Sequence, residues 1–182
     1  MGKIIVAFNM TIDGYCDHTH GIATDELHQL YTDLLHRAGY LLYGRVTYQL
    51  MEYWKPFIQN PTGNPSMDDF ALAIDKAPKL VFSRTLQNLD WNTARLATRP
   101  LPEEVEMLKH QSEQDIYVCS PSLIVALTEM NLVDEYQLCI HPVIAGSGLP
   151  LFKNISEKIT LELTGTQTLG MGIVVLNYKR AV

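Results

Sequence analysis

The chain has 182 residues, 47% apolar content, a formal charge of −6 and a pI near 5.4, which fits one globular domain over 1–182, since domains commonly run to roughly 100–200 residues. Without clustered Lys and Arg there is no surface for nucleic acid, and apolar runs such as KIIVAF and GYLLYG fall far short of the roughly 20 residues that span a bilayer. Cys16, Cys119 and Cys139 are too widely spaced for a disulfide framework or a CxxC clip, and polar Asn9 follows Lys3 too soon for a secretion signal, so reduced thiols in a cytoplasmic protein are expected.

In chain order, KIIVAF (Lys3 to Phe8) reads as the first strand, followed by the polar loop NMTIDGYCDHTHG. From Thr24, a plausible N-cap, Leu27, Leu30, Tyr31, Leu34 and Leu35 recur at helical spacing, with Asp25 and Glu26 in the first turn. Strand YLLY follows Gly39, and a helix from Val46 to Tyr53 is expected to end before Pro56. NPTGNP (Asn60 to Pro65) is a loop, and Ser66 with Asp69 forms a capping-box-like start to the next helix. Strands KLVFS and ARLA, a helix from Pro102 and Glu103 to about His110, strand DIYVC and helix PSLIVALTEM come next. DEYQLCIHPVI, KITLELTGTQ and GIVVLNYKR supply three closing strands. The alternation indicates an α/β layered fold with a largely parallel sheet buried on both faces.

Two strand-to-helix junctions and one strand end that runs into a polar turn carry groups suited to an anion. Gly44-Arg45-Val46-Thr47 pairs a glycine that permits close approach with a fixed charge; its plainer reading is a turn glycine beside an exposed arginine. Ser83-Arg84-Thr85 ends the next strand in the same manner, and two neighbouring strand ends of this kind gather charge-assisted donors where open α/β sheets bind ligands. Cys119-Ser120-Pro121-Ser122-Leu123 leads into a helix whose hydroxyls and amides suit a pyrophosphate or, equally, simple capping. Asp13-Gly14, after the first strand, is placed to make a flap, although Asp-Gly also turns for purely conformational reasons.

Taken in order, MTIDGY, LLYGRVTYQLM, VFSRTL, IYVCSPSL and LVDEYQLCIHPVIAGSGLPLF resemble the dihydrofolate reductase-like superfamily over nearly the whole chain, in particular the C-terminal reductase domain of riboflavin biosynthesis. The resemblance implies a three-layer αβα fold around about eight strands with a C-terminal antiparallel hairpin. It also implies an NADPH-dependent reductase acting on a small heterocyclic or carbonyl substrate, and a homodimer. Gly44, Arg45 and Thr47 would contact the pyrophosphate and the 2′-phosphate, Ser83, Arg84 and Thr85 would help hold the 2′-phosphate, and Cys119, Ser120, Ser122 and Leu123 would complete the cofactor site. Cys119 stands where most of the family has a Gly-Gly pair, and a Cβ there would crowd the dinucleotide if the backbone needed positive φ.

Hydride transfer needs a group that protonates the acceptor. The carboxylate candidates are Asp13 in the flap and Asp25 and Glu26 at the start of the first helix, with His28 nearby, although the last two carboxylates could simply favour the helix dipole. No H-x-E with P-C-x-x-C occurs, which excludes the zinc deaminase step often fused to riboflavin reductases. Cys16, His18 and His20 are read as polar loop rather than as a zinc site, and His141 as a structural residue sharing a strand face with Glu135. A non-catalytic NADP(H)-binding sensor or regulatory dimer is the alternative function.

Overall fold

Apolar, β-rich runs alternate with amphipathic helices along the chain, and in the computed structural model, which describes residues 1–181, they form one layered assembly. The strands are β1 (Ile4–Thr11), β2 (Tyr40–Gly44), β3 (Lys79–Phe82), β4 (Ala94–Leu96), β5 (Ile116–Val118), β6 (Glu135–His141), β7 (Leu161–Thr168) and β8 (Val174–Arg180). The helices are α1 (Asp25–Arg37), α2 (Arg45–Met51), α3 (Pro56–Gln59), α4 (Pro65–Lys76), α5 (Leu101–Gln111) and α6 (Pro121–Glu129). Eight strands lie in the order β4-β3-β2-β5-β1-β6-β8-β7. Those from β4 to β6 run parallel, and the β7–β8 hairpin closes one edge antiparallel. Among the described residues no helix is long and apolar enough to cross a membrane.

The two-residue period of a strand sorts β1 between two cores. Ile5 and Ala7 join Leu34, Leu35, Phe70 and Ile74 from α1 and α4, whereas Ile4 and Val6 join Val105, Leu108, Ile124 and Leu127 from α5 and α6. Ile4, Val6, Leu41 and Leu42 are fully buried, each worth about 1.5–3 kcal/mol relative to exposure. β1 does not stop at Phe8 as expected. It pairs with β6 through Asn9↔Cys139 and Thr11↔His141, so polar side chains continue the odd-numbered face beyond the apolar ones.

Thr24 caps α1 as the sequence suggests, its Oγ1 accepting the Leu27 N–H at 3.1 Å. α4 starts differently. Asn64 Oδ1 accepts the Ser66 and Met67 N–H groups with Pro65 at the first turn, so the Ser66–Asp69 box does not form. The second helix ends before Pro56 as expected: a 3₁₀ turn at Glu52–Trp54 follows α2, and Pro56 opens the short α3, where its missing N–H costs nothing.

Candidate functional site

A cavity of about 760 Å³ opens at the carboxyl ends of β1, β2, β3, β5 and β6, the place where open α/β sheets bind ligands. Its rim carries Gly44, Arg45 and Thr47 on one side and Cys119, Ser120, Ser122 and Leu123 on the other. Asn9, Tyr31 and His141 supply polar groups on the side of α1, among apolar Leu34, Leu35, Met51, Phe70 and Leu151.

The two rim segments are tied together. The Gly44 N–H donates to Ser120 Oγ at 2.8 Å, so this buried hydroxyl bridges β2 and the start of α6 and does not cap its own helix. Gly44 has φ −81°, a value open to any residue, and the nearest atom to a Cβ there is at ordinary contact distance, so glycine leaves open space at this point without being demanded by backbone or clash. A Cβ there would stand 3.4 Å from Ser122 Oγ and 3.8 Å from Ser120 Oγ, filling the gap between the two segments. Arg45 is exposed and reaches Gln49 Oε1 at 3.4 Å, with no carboxylate within ion-pair distance among the described residues. A guanidinium left without a counter-charge beside such a gap is suited to an oxyanion.

Cys119 does not have the positive φ that would demand glycine. Its sulfur packs against the core cluster containing Tyr43 and Tyr117, and burial pushes the thiol up to about 12. The thiol is therefore protonated near pH 7, and the residue is compatible with the strand end. Ser83, Arg84 and Thr85 lie beyond Phe82, the β3 residue in register with Gly44, and do not line the cavity. Ser83 Oγ accepts the Thr85 and Leu86 N–H groups at 3.2 and 3.0 Å, closing a turn that leaves Arg84 and Thr85 exposed one strand beyond Arg45.

None of the three expected catalytic carboxylates lines the cavity. Asp13 accepts the Thr11 hydroxyl and the Ala145 and Gly146 N–H groups, bonds that hold it down to about 2 and leave it ionised, with no proton to give. Asp25 accepts the Ser66 hydroxyl at 2.5 Å and the Asn64 amide at 3.2 Å, joining α1 to α4. Glu26 accepts the Gly170 N–H at 2.6 Å. His28 packs edge-on to Trp54 with its Nδ1 buried and unpartnered.

The segment from Tyr15 to Gly21 lines one side of the cavity, where a flap is expected, but it is stitched down. Ile12 and Cys16 N–H donate to Val143 and Leu149 carbonyls, Leu151 N–H donates to Gly14, and Asp17 accepts the Leu149 N–H. No group of three metal-ligating side chains converges among the described residues. Cys16 is buried with its Sγ facing the Leu149 carbonyl.

The groups on the α1 side escaped sequence reasoning as a set. His141 is 1% exposed; its Nδ1 accepts the Ile22 N–H at 2.9 Å and its Nε2 lies 3.2 Å from Asn9 Oδ1. Tyr31 Oη donates to the same Asn9 oxygen at 3.2 Å. Burial lowers His141 and raises Tyr31 well beyond the ordinary phenol range, so both are neutral near pH 7. Continuing the β1 alternation through Asn9 is the signal that would have placed it beside Cys139 and His141.

A mostly parallel eight-stranded sheet with its pocket at the carboxyl edge defines a dihydrofolate reductase-like fold. The chain belongs to the RibD C-terminal domain family, whose model matches residues 2–175. It is 31% identical over 182 residues, 97% of this chain and 94% of the relative, to the uncharacterized protein YyaP of Bacillus subtilis (strain 168). It superposes on a putative riboflavin biosynthesis protein from Shewanella sp. PV-4 with a TM-score of 0.72 at 18% identity, covering all of both chains. Against the Thermotoga maritima diaminohydroxyphosphoribosylaminopyrimidine deaminase/5-amino-6-(5-phosphoribosylamino)uracil reductase the TM-score is 0.67 at 13% identity, over 99% of this chain and 57% of that one. Family membership implies an oxidoreductase of the riboflavin-biosynthesis reductase type.

Proposed function

We propose that this protein is an NADPH-dependent reductase that transfers hydride to a small heterocyclic or carbonyl substrate. The observation that carries this reading is the cavity rim, where the Gly44 gap, the Ser120 and Ser122 hydroxyls and the unpaired Arg45 form a cradle for a phosphorylated ligand. Arg45 and Thr47 would hold the 2′-phosphate, with Arg84 one strand further out, and Ser122, through its hydroxyl and its own N–H, would face the pyrophosphate, since Pro121 has no N–H and those of Leu123 and Ile124 already donate to the Ser120 carbonyl. The bound dinucleotide supplies the hydride. Leu34, Leu35 and Phe70 line the inner cavity and would exclude water from the reacting pair.

A second reading, an NADP(H)-binding sensor without turnover, is favoured by one observation: Asp13, Asp25 and Glu26 are all engaged outside the cavity. Asp17 is the cavity's one carboxylate among the described residues, and it already accepts the Leu149 N–H at 2.6 Å. The free cysteines go with a cytoplasmic setting. A homodimer is also part of this reading, because β7 is an edge strand with Leu163 half exposed, and such edges invite pairing.

The test is a titration with NADPH and NADH followed by nicotinamide fluorescence, repeated with Arg45→Ala. NADPH should bind more tightly than NADH, and the variant should lose that preference. NADPH oxidation is then assayed with pterin, pyrimidine and carbonyl acceptors. Binding without oxidation of NADPH by any of them would favour the sensor, and no binding of either dinucleotide would sink both readings.

A further inference from the structure

The inner cavity wall holds a chain of hydrogen bonds whose direction is dictated from one end. The Ile22 backbone N–H can only donate, and it points at His141 Nδ1 at 2.9 Å, so Nδ1 carries no proton. A neutral imidazole with a bare Nδ1 bears its hydrogen on Nε2. That Nε2–H lies 3.2 Å from the Asn9 side chain and must meet an acceptor, which fixes the oxygen of the amide towards His141. The Tyr31 hydroxyl faces two acceptors, this oxygen at 3.2 Å and Cys139 Sγ at 3.8 Å, and the nearer and stronger one is the second lone pair of Asn9 Oδ1. A flipped amide would bring an N–H against the imidazole N–H. The opposite tautomer, or a charged imidazole, would bring an N–H against Ile22.

With Oδ1 saturated, the Asn9 amide has two hydrogens left, and no described protein group accepts them. Nδ2 is nevertheless not among the fully buried atoms that lack a partner, which are His28 Nδ1 and Thr32 Oγ1. Asn9 lines the cavity, so the amide nitrogen is open to whatever occupies it. We infer that Asn9 sets the substrate polarity of this pocket, presenting a locked pair of N–H donors that selects a ligand bearing a carbonyl oxygen or an unprotonated ring nitrogen. Asn9 acts by contact, whereas His141 and Tyr31 are positioning residues that hold the amide in one orientation.

This inference rests on the cavity being the substrate site of the proposed reductase, but it makes no use of the dinucleotide. Two measurements test it on the intact protein. Long-range ¹H–¹⁵N NMR at pH 7.5 should report a pyridine-type Nδ1 and a pyrrole-type Nε2 for His141; the reverse assignment overturns the inference. Saturation-transfer NMR then compares acetophenone, which only accepts, with benzamidinium, a flat analogue that only donates. The wild type should prefer acetophenone, and Asn9→Asp, which turns an oxygen to the cavity, should weaken acetophenone roughly tenfold and favour benzamidinium. An unchanged order of preference in a folded Asn9→Asp protein overturns the inference. Failure of NADPH to bind would remove the reductase reading while leaving both of these results intact.

Discussion

The rim and the inner wall of the cavity use polar groups in opposite ways. At the rim, Arg45 is exposed and finds only Gln49 at 3.4 Å, and Ser122 is exposed at the start of α6. On the inner wall, His141 and Tyr31 converge on one amide oxygen, and His141 is 1% exposed. Open, charged groups suit a ligand that brings its own charge and whose binding weakens with salt. Neutral groups that fix one another, leaving only the Asn9 amide hydrogens free, hold one geometry and suit discrimination between shapes and hydrogen-bond patterns. The difference suggests that the rim gives affinity for a common handle and the wall gives selectivity.

That division makes the wall structurally expensive and the rim cheap to alter. His141→Ala is expected to have the largest effect, because it deletes a buried ring and orphans both the Ile22 N–H and one lone pair of Asn9; about 2–4 kcal/mol of stability should be lost. Denaturant unfolding would check it, and a loss below about 1 kcal/mol would show that the network is not preorganised. Arg45→Ala should do the converse, weakening NADPH roughly tenfold and flattening its salt dependence while leaving the unfolding midpoint unchanged. If Arg45→Ala weakened NADH and NADPH equally, the guanidinium would not be reading the extra phosphate.

A smaller effect follows from pH. Burial lowers the pKa values of His141 and His28, so the unfolded chain takes up protons before the folded one does. The stabilisation is complete above about pH 6.5, the ordinary histidine value, and fades as pH falls through the interval down to the lowered folded values. The thermal midpoint should therefore decline from pH 7 to pH 5, and His141→Ala should decline less steeply. Asp13, held down to about 2, titrates only at the acid end and would not contribute to that slope.

Much of this architecture was legible because period-2 and period-3.6 patterns report burial directly: Ile4, Ile5, Val6 and Ala7 identify β1, and Leu27, Leu34 and Leu35 identify the inner face of α1. Gly44, Arg45, Thr47 and Ser120 were legible because polar groups at strand-to-helix junctions announce the carboxyl edge of a parallel sheet. The inner wall was not. Asn9 looks like the first residue of a loop, since nothing in its neighbours says that a strand can carry polar side chains into a cavity. Asp25 and Glu26 sit on the helix that forms the cavity wall, yet their positions in its first turn aim them at Ser66 and Gly170, a choice made by α4 and the β7–β8 connection, far along the chain. Residues far apart in sequence decide which carboxylates are free, and local pattern holds no record of that.

The smallest effect separates the two regions at a residue that touches both. Cys119 lies at the rim by sequence, directly before Ser120, but its sulfur belongs to the core cluster behind the wall, with a thiol pushed up to about 12 by burial. Its backbone avoids positive φ, so a glycine gains no conformational relief there and instead loosens the strand end. Cys119→Gly should therefore leave NADPH affinity within about twofold while lowering stability by about 1 kcal/mol, through lost packing and added chain entropy. Calorimetric unfolding alongside the dinucleotide titration reads both quantities on one sample. A large rise in NADPH affinity would mean that the cysteine Cβ crowds the cradle after all, and that the gap made by Gly44 is not wide enough on its own.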